Sequence, residues 1–273
     1  MKLDLNAAWD SAVKLVKGNR EMILVLGGVF FFLPYVLYSL LVPMDQIAAA
    51  AASGQEAALM ASLEAFAAQY WWAILLLLLI QTVGATAIMA VIGDPARPTV
   101  NEAISRGFRL LPSQAGVLVI MFVAMVIVQT IFLAFGAIGG SESLATVFAL
   151  LSLPVLLYLV TRFSLAGPDI AIERVKNPIA AIRRSFQLTT GNAFRLLAYY
   201  GLITIAFLVV GQVIALIVGA LAALTGATVA DIIDALLSGV LNTAYLITIY
   251  AALAAVHRQL AQAARVNARE RMS

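Results

Sequence analysis

Residues 71–92 read WWAILLLLLIQTVGATAIMAVI, an apolar run without a single charged side chain. A helix needs about 20 such residues to cross the hydrocarbon core of a bilayer. Backbone polar groups surrounded by lipid must be hydrogen-bonded within the chain, so the run predicts a transmembrane helix. The alternation of apolar and polar residues that is typical of a membrane β-barrel strand is absent.

Five further runs have the same character, and we predict spans at about 22–42, 71–92, 115–138, 144–166, 194–223 and 235–257. The composition agrees, because 63% of the 273 residues are hydrophobic and 11% are charged, whereas a soluble domain carries about a quarter charged residues. The sequence therefore predicts an all-α polytopic membrane protein in which residues 1–273 form a single integral membrane domain.

The distribution of Lys and Arg predicts the orientation of the spans. With the N-terminus in the cytoplasm, the inside segments carry all 17 basic residues, and the outside segments carry six acids and no base. Cytoplasmic segments are enriched in Lys and Arg, so we expect a multi-pass protein of the bacterial inner membrane with both termini cytoplasmic. The net charge of +3 then reflects topology, and no nucleic-acid partner is expected.

Three inside segments resemble one another. They read AWDSAVKL at 8–15, AISRGFRL at 103–110 and AIRRSFQL at 181–188, and the last two share five of eight residues. We predict three repeats, each with one amphipathic helix and two spans. The amphipathic helices are expected at 5–17, 100–111 and 178–190, on the cytoplasmic surface, with basic residues toward anionic headgroups.

Local signals mark helix starts and bends. Thr99 and Glu102 form a predicted capping box, and Asn177 followed by Pro178 is typical of a helix N-terminus. Pro34 and Pro154 are expected to disturb spans one and four, as Pro does in membrane helices.

Four amide side chains lie inside predicted spans: Gln81, Gln129, Gln212 and Asn242. One interpretation is hydrogen bonding between helices, worth about 0.6–2 kcal/mol for each bond. The other is a polar substrate path. No ionisable residue accompanies the four, and transporters usually place one near the midplane, which favours the structural interpretation.

Arg162 is expected within the inner part of span four. It precedes Asp169 by seven residues, so both share a helix face if Pro168 only kinks the helix. An Arg in a membrane needs a partner, and we expect an ion pair with Asp169 or Glu173. The alternative is a contact with a lipid headgroup or another ligand, with Arg184 as a further candidate.

Conventional catalytic and metal-binding patterns are absent from the sequence. It contains no Cys and one His, which excludes thiolate chemistry and a metal site with two His ligands. His257 is predicted to anchor span six at the membrane interface. We therefore expect no catalytic residues, no metal and no cofactor.

The pattern Arg162…Pro168…Glu173…Ala181-(three)-Ser185…Leu188…Gly191 resembles the membrane domain attached to some glycerophosphoryl diester phosphodiesterases. It is similar to the related YciC-like bacterial inner-membrane proteins. The resemblance covers most of the chain in hydropathy and repeat layout, and its motifs lie within about 150–195. It implies a six-helix membrane module. The phosphodiesterase chemistry of the fused members belongs to a separate soluble barrel domain that is not expected within residues 1–273, so only the membrane-domain positions correspond.

These observations favour a non-enzymatic inner-membrane protein that organises or senses lipid, or a membrane subunit of an envelope assembly. The expected partners are membrane lipids with anionic headgroups at the cytoplasmic leaflet, with room for a protein partner in the membrane. The alternatives are a small-molecule or lipid transporter or permease, and a membrane-embedded accessory domain of a lipid-metabolising enzyme.

Overall fold

The computed structural model describes residues 3–94, 98–138 and 141–270, and every regular element within these ranges is helical. Of the basic residues used to predict the orientation, Lys2, Arg97 and Arg271 lie outside the described residues. Six helical runs are long and apolar enough to cross a membrane: Arg20–Leu41, Glu56–Gly93, Val100–Ile138, Ser143–Glu173, Ala193–Ala222 and Ala227–Val266. The predicted all-α class and the six candidate spans are therefore confirmed.

The chain begins with α1 (Leu5–Gly18) and continues directly into the first candidate span, which is made of three parts. These are α2 (Arg20–Gly27), a π-helical segment (Gly28–Phe32) and α3 (Leu33–Leu41). Pro34 explains the π-helical segment, because its ring would clash with a carbonyl in a regular α-helical turn and it has no N–H to donate. In the wider π-helical turn the Leu33 N–H donates to the Gly28 carbonyl, and this geometry avoids the clash.

Three helices follow, and the last two are longer than the predicted spans. They are α4 (Asp45–Ala52), α5 (Glu56–Gly93) and α6 (Val100–Ile138). The Ala-rich segment before the second span is helical from Glu56 because alanine favours the helix. The helix predicted at 100–111 runs without a break into the third span, and Pro112 lies inside it. The second predicted repeat therefore lacks a separate surface helix.

The capping box at the start of α6 is confirmed. The Thr99 N–H donates to Oε2 of Glu102 at 2.8 Å, and the Glu102 N–H donates to the Thr99 hydroxyl at 3.4 Å. The helix start predicted at Asn177 is confirmed as well, because its Oδ1 accepts the N–H groups of Ile179 and Ala180.

The second half of the chain forms α7 (Glu142–Phe163), α8 (Ala166–Glu173), α9 (Pro178–Thr189), α10 (Ala193–Ala222) and α11 (Ala227–Glu270). Pro154 lies inside α7. Pro168 does not kink a continuous helix. The helix ends at Phe163, and Pro168 occupies the first turn of α8, where an N–H has no partner to lose.

The centre of the bundle is the second half of α5. All residues from Val83 to Gly93 are buried there, whereas Trp71 and Trp72 in the first half are 60% and 55% exposed. Small residues let neighbouring helices approach closely, as in other membrane bundles. A Cβ on Gly84 would overlap Cβ of Phe30, and one on Gly107 of α6 would lie 2.7 Å from the Val83 carbonyl oxygen.

One end of the bundle gathers most of the polar contacts. There α5 ends, α6 and α10 begin, α8 and α9 pack together, and α1 packs against the C-terminal part of α11. We call it the basic end, since Arg106, Arg162, Arg174, Arg184 and Arg195 lie there.

Candidate functional site

The most buried charge is Asp169 of α8, whose side chain is fully buried. Its Oδ1 lies 2.8 Å from Nε2 of His257 on α11 and 3.2 Å from Nε of Arg184 on α9. One carboxylate oxygen therefore joins three helices. Charge-assisted hydrogen bonds of this kind are short and stronger than neutral ones.

Two polar atoms of this contact have no hydrogen-bond partner among the described residues: Oδ2 of Asp169 and Nδ1 of His257. A carboxylate accepts and cannot donate, so the neutral imidazole that fits carries its proton on Nε2 and a lone pair on Nδ1. Both unpartnered atoms are then acceptors.

Glu173 extends the cluster by one helical turn. Nη2 of Arg265 on α11 donates to both of its carboxylate oxygens, at 2.6 and 2.9 Å, and Nη2 of Arg184 lies 3.5 Å away. Arg184 thus bridges Asp169 and Glu173. We call Asp169, Glu173, Arg184, His257 and Arg265 the α8 cluster.

A second ion-pair group lies at the junction of α5, α6 and α8. Oδ2 of Asp94 lies 2.7 Å from Nη1 of Arg106 and 3.1 Å from Nη2 of Arg174. Arg174 ends α8 with a left-handed backbone, φ 59°, which turns the chain toward α9. These contacts fix the loop between α8 and α9 to the core helix α5.

Arg162 does not form the predicted ion pair with Asp169 or Glu173. Nη1 of Arg162 donates instead to the Thr190 hydroxyl at 3.3 Å, and its guanidinium carbon lies 4.7 Å from the centre of the Phe186 ring. The prediction failed because the turn after Phe163 ends the helix, so a seven-residue spacing no longer places both residues on one face. Asp169 instead contacts His257 and Arg184, and Glu173 pairs with Arg265.

Two further positions of the predicted family signature, Ser185 and Gly191, lie close to Arg162 in the turns around α9. The Ser185 hydroxyl donates to the Arg162 carbonyl at 2.6 Å and accepts the Leu165 N–H at 3.1 Å. Ser185 therefore holds the turn between α7 and α8 against α9. Gly191 has φ +78° in the turn between α9 and α10, where a side chain would be strained.

A pocket of about 380 Å³ opens beside the α8 cluster. We call it the basic pocket. Its polar lining comes from α9, the following turn and α11, and its floor is apolar; the lining includes Arg184, Gln187, Thr190, Asn192, Arg265, Leu188 and Leu260. Thr190 is shared with Arg162, which places the Arg162 guanidinium next to this pocket.

The four mid-span amides do not form one set. The Ser152 hydroxyl of α7 donates to Oε1 of Gln129 on α6 at 2.9 Å, which is the interhelical hydrogen bond that the structural interpretation requires. Gln81 lies partly exposed on α5. Gln212 and Asn242 line one cleft between α10 and α11.

The roles of His257 and Arg265 did not follow from the sequence. His257 was expected at the membrane interface, but it is 1% exposed because α11 continues beyond the span and packs against α1 and α8. Arg265 was not among the candidate residues. The only signal in the sequence was that the single His, His257, precedes Arg265 by eight residues. No nearby motif linked either residue to Asp169.

Within the described ranges, no group of three or more His, Asp or Glu side chains is arranged to hold a metal ion. No protein-family model matches the sequence, and neither a curated protein nor a solved structure matches it.

Proposed function

We propose that this chain is a non-enzymatic inner-membrane protein that binds an anionic phospholipid at its basic end and so organises or senses lipid. The proposal rests on the contacts of Arg162. Its guanidinium contacts Phe186 and Thr190, and no carboxylate of the described residues lies within ion-pair distance.

A charge balance around the basic pocket supports an anion of charge about −1. Arg162, Arg184 and Arg265 bring three positive charges, whereas Asp169 and Glu173 bring two negative charges. These five side chains leave one positive charge over. A phosphodiester matches this charge, and a guanidinium binds phosphate oxygens in a fixed planar geometry.

The surroundings of Arg162 fit a lipid headgroup better than a free anion. The Phe186 face lies under the guanidinium, and the Tyr158 ring centre lies 6.0 Å away, so the aromatic groups orient the cation at the end of a span. The apolar floor of the basic pocket, with Leu188 and Leu260, accommodates the glycerol and the first acyl carbons.

Interfacial helices and a triplicated unit belong to the same proposal. Large apolar side chains are exposed on each of the three segments: Trp9 is 43%, Phe108 59% and Ile179 62% exposed. Such residues favour contact with the acyl region beside basic neighbours. We further propose cytoplasmic termini and membership of the YciC-like group, on the charge distribution and motif described above.

Native mass spectrometry of nanodiscs containing equal amounts of phosphatidylglycerol and phosphatidylcholine tests the proposal. The wild-type chain is expected to retain phosphatidylglycerol preferentially. Arg162→Gln should weaken that retention about tenfold, because a charge-assisted hydrogen bond is worth about 1.5–3 kcal/mol. Arg258→Gln is the matched control, since Arg258 is exposed and lies outside both the basic pocket and the three repeated segments. Equal retention of both lipids, or an equal loss in both variants, would contradict the proposal.

A transporter is the second candidate, favoured by the cleft that Gln212 and Asn242 line. Substrate-dependent flux into proteoliposomes tests it. Flux that Asn242→Leu abolishes and Gln129→Leu leaves intact would support a transporter.

A further inference from the structure

The cleft between α10 and α11 is unusually polar for its position. It has a volume of about 510 Å³, and Tyr35 of α3 contributes to its lining. Six of its side chains carry hydrogen-bonding groups: Tyr35, Thr204, Gln212, Ser238, Asn242 and Tyr245. The Thr204 and Tyr245 hydroxyls lie 3.2 Å apart and bond to each other.

One donor in the cleft is unused. Nδ2 of Asn242 is buried and has no hydrogen-bond partner among the described residues. Asn242 lies midway between Ala227 at the start of α11 and His257 at the basic end, so it is near the middle of the span. Lipid tails offer no acceptor at that depth, and an unsatisfied amide there is unfavourable.

A second amide faces the same opening. Gln212 of α10 is exposed beside Leu208, which is 65% exposed, so this side of the cleft opens laterally toward lipid. A molecule in the cleft can therefore leave an apolar tail in the bilayer while its polar group reaches both amides. A volume of about 510 Å³ lies within the usual range for small-ligand sites.

We propose that this cleft binds a neutral lipid that carries a carbonyl group, such as a diacylglycerol or an isoprenoid quinone. The carbonyl accepts from the exposed Gln212 amide and, once the Asn242 side chain turns toward the opening, from its now covered Nδ2. Among the described residues that line the cleft, none is Asp, Glu, Lys, Arg or His. Asp231 and Asp234 line the next cavity along the same helix pair, and they disfavour an anionic ligand.

The proposal is independent of phospholipid binding at the basic end. Purified chain in phosphatidylcholine nanodiscs is titrated with two probes, dioctanoylglycerol and a decyl-substituted benzoquinone, and bound probe is counted by native mass spectrometry. We expect one saturable copy of one probe per chain, and the probe that binds identifies the source of the carbonyl.

Matched variants locate the site. Asn242→Leu and Gln212→Leu should each weaken binding about tenfold, the effect of one lost hydrogen bond. Gln129→Leu makes the same chemical change at a mid-span amide that already has a partner, and it should leave binding unchanged. If Asn242→Leu fails to fold, Gln212→Leu carries the test, because its side chain is exposed.

Three results would overturn the proposal: no saturable binding of either probe, equal binding by all variants, or a second copy of the chain in the cleft. The chain contains no Cys, so a Gln212→Cys variant tests whether a second copy of the chain occupies the cleft. Efficient disulfide formation between copies in membranes would show that a second chain occupies this face.

Discussion

Nε2 of His257 lies 2.8 Å from Oδ1 of Asp169, although 88 positions separate the two residues and both side chains are buried. The contact joins the short helix α8 to the longest helix, α11, at the basic end. Arg184 approaches the same oxygen at 3.2 Å, so the carboxylate is the common partner of two basic side chains.

The α8 cluster should therefore dominate stability at this end. Asp169→Asn removes the charge shared by the buried His257 ring and the partly exposed Arg184 guanidinium, and we expect a loss of about 1–3 kcal/mol in the free energy of unfolding. Unfolding by SDS in mixed micelles measures it. Asp10→Asn on the exposed side of α1 is the control and should change stability by less than about 0.5 kcal/mol.

A double-mutant cycle separates the pair from the individual side chains. Combining Asp169→Asn with His257→Leu should cost less than the sum of the single changes, because the contact between the two residues is lost in each single variant and can be lost only once. Additive effects would show that the two residues do not interact.

The stability of the protein should depend on the Ser185 hydroxyl. Ser185→Ala leaves the buried Leu165 N–H and the Arg162 carbonyl without their partner, and we expect a loss of about 1–3 kcal/mol. Ser105→Ala, at an exposed site on α6, should be neutral. A thermal-unfolding scan in detergent compares them, and identical midpoints would argue against the role of Ser185 at this turn.

Close helix packing at the core predicts a contrast between two glycines. Gly84→Ala should destabilise the bundle by about 1–3 kcal/mol, because the new methyl group would overlap Phe30. Gly219→Ala meets nothing within 4 Å and should be neutral or slightly stabilising, since alanine favours a helix. Equal midpoints for the two variants in thermal unfolding would show that α5 does not pack as described.

The proposed orientation is tested by single cysteines, which the Cys-free sequence makes unambiguous. Cysteines at Ser53, Ser141 and Thr228 should react with an impermeant maleimide added outside intact cells, and one at Ser105 should react only after permeabilisation. Labelling of any of the first three only from the cytoplasm would reverse or break the topology.

Hydropathy was sufficient to predict the helical class and the number of candidate spans, because about 20 apolar residues can satisfy lipid only as a helix. Helix ends were less predictable. The runs before residues 71 and 115 are polar enough to leave the membrane but still favour helix, so α5 and α6 extend beyond their apolar parts.

The candidate site was only partly predictable, for a similar reason. Asp169, Glu173 and Arg184 were recognised because they are charged residues close to a span. Their partners on α11 lie about 90 residues away, and only the packing of α8 against α11 brings them together. Spacing alone assigned Arg162 to the wrong partner, because a break after Phe163 replaced the expected kink.

An experimental structure in nanodiscs of native lipid tests phospholipid binding most directly. If the basic end binds phospholipid, headgroup density will lie beside Arg162, with a phosphate oxygen within hydrogen-bond distance of its guanidinium and glycerol density entering the basic pocket near Thr190. Arg162→Gln should remove this density and leave the lipid elsewhere on the bundle unchanged. A well-resolved basic end with an empty pocket, or with Arg162 paired to a carboxylate, would contradict phospholipid binding at this end.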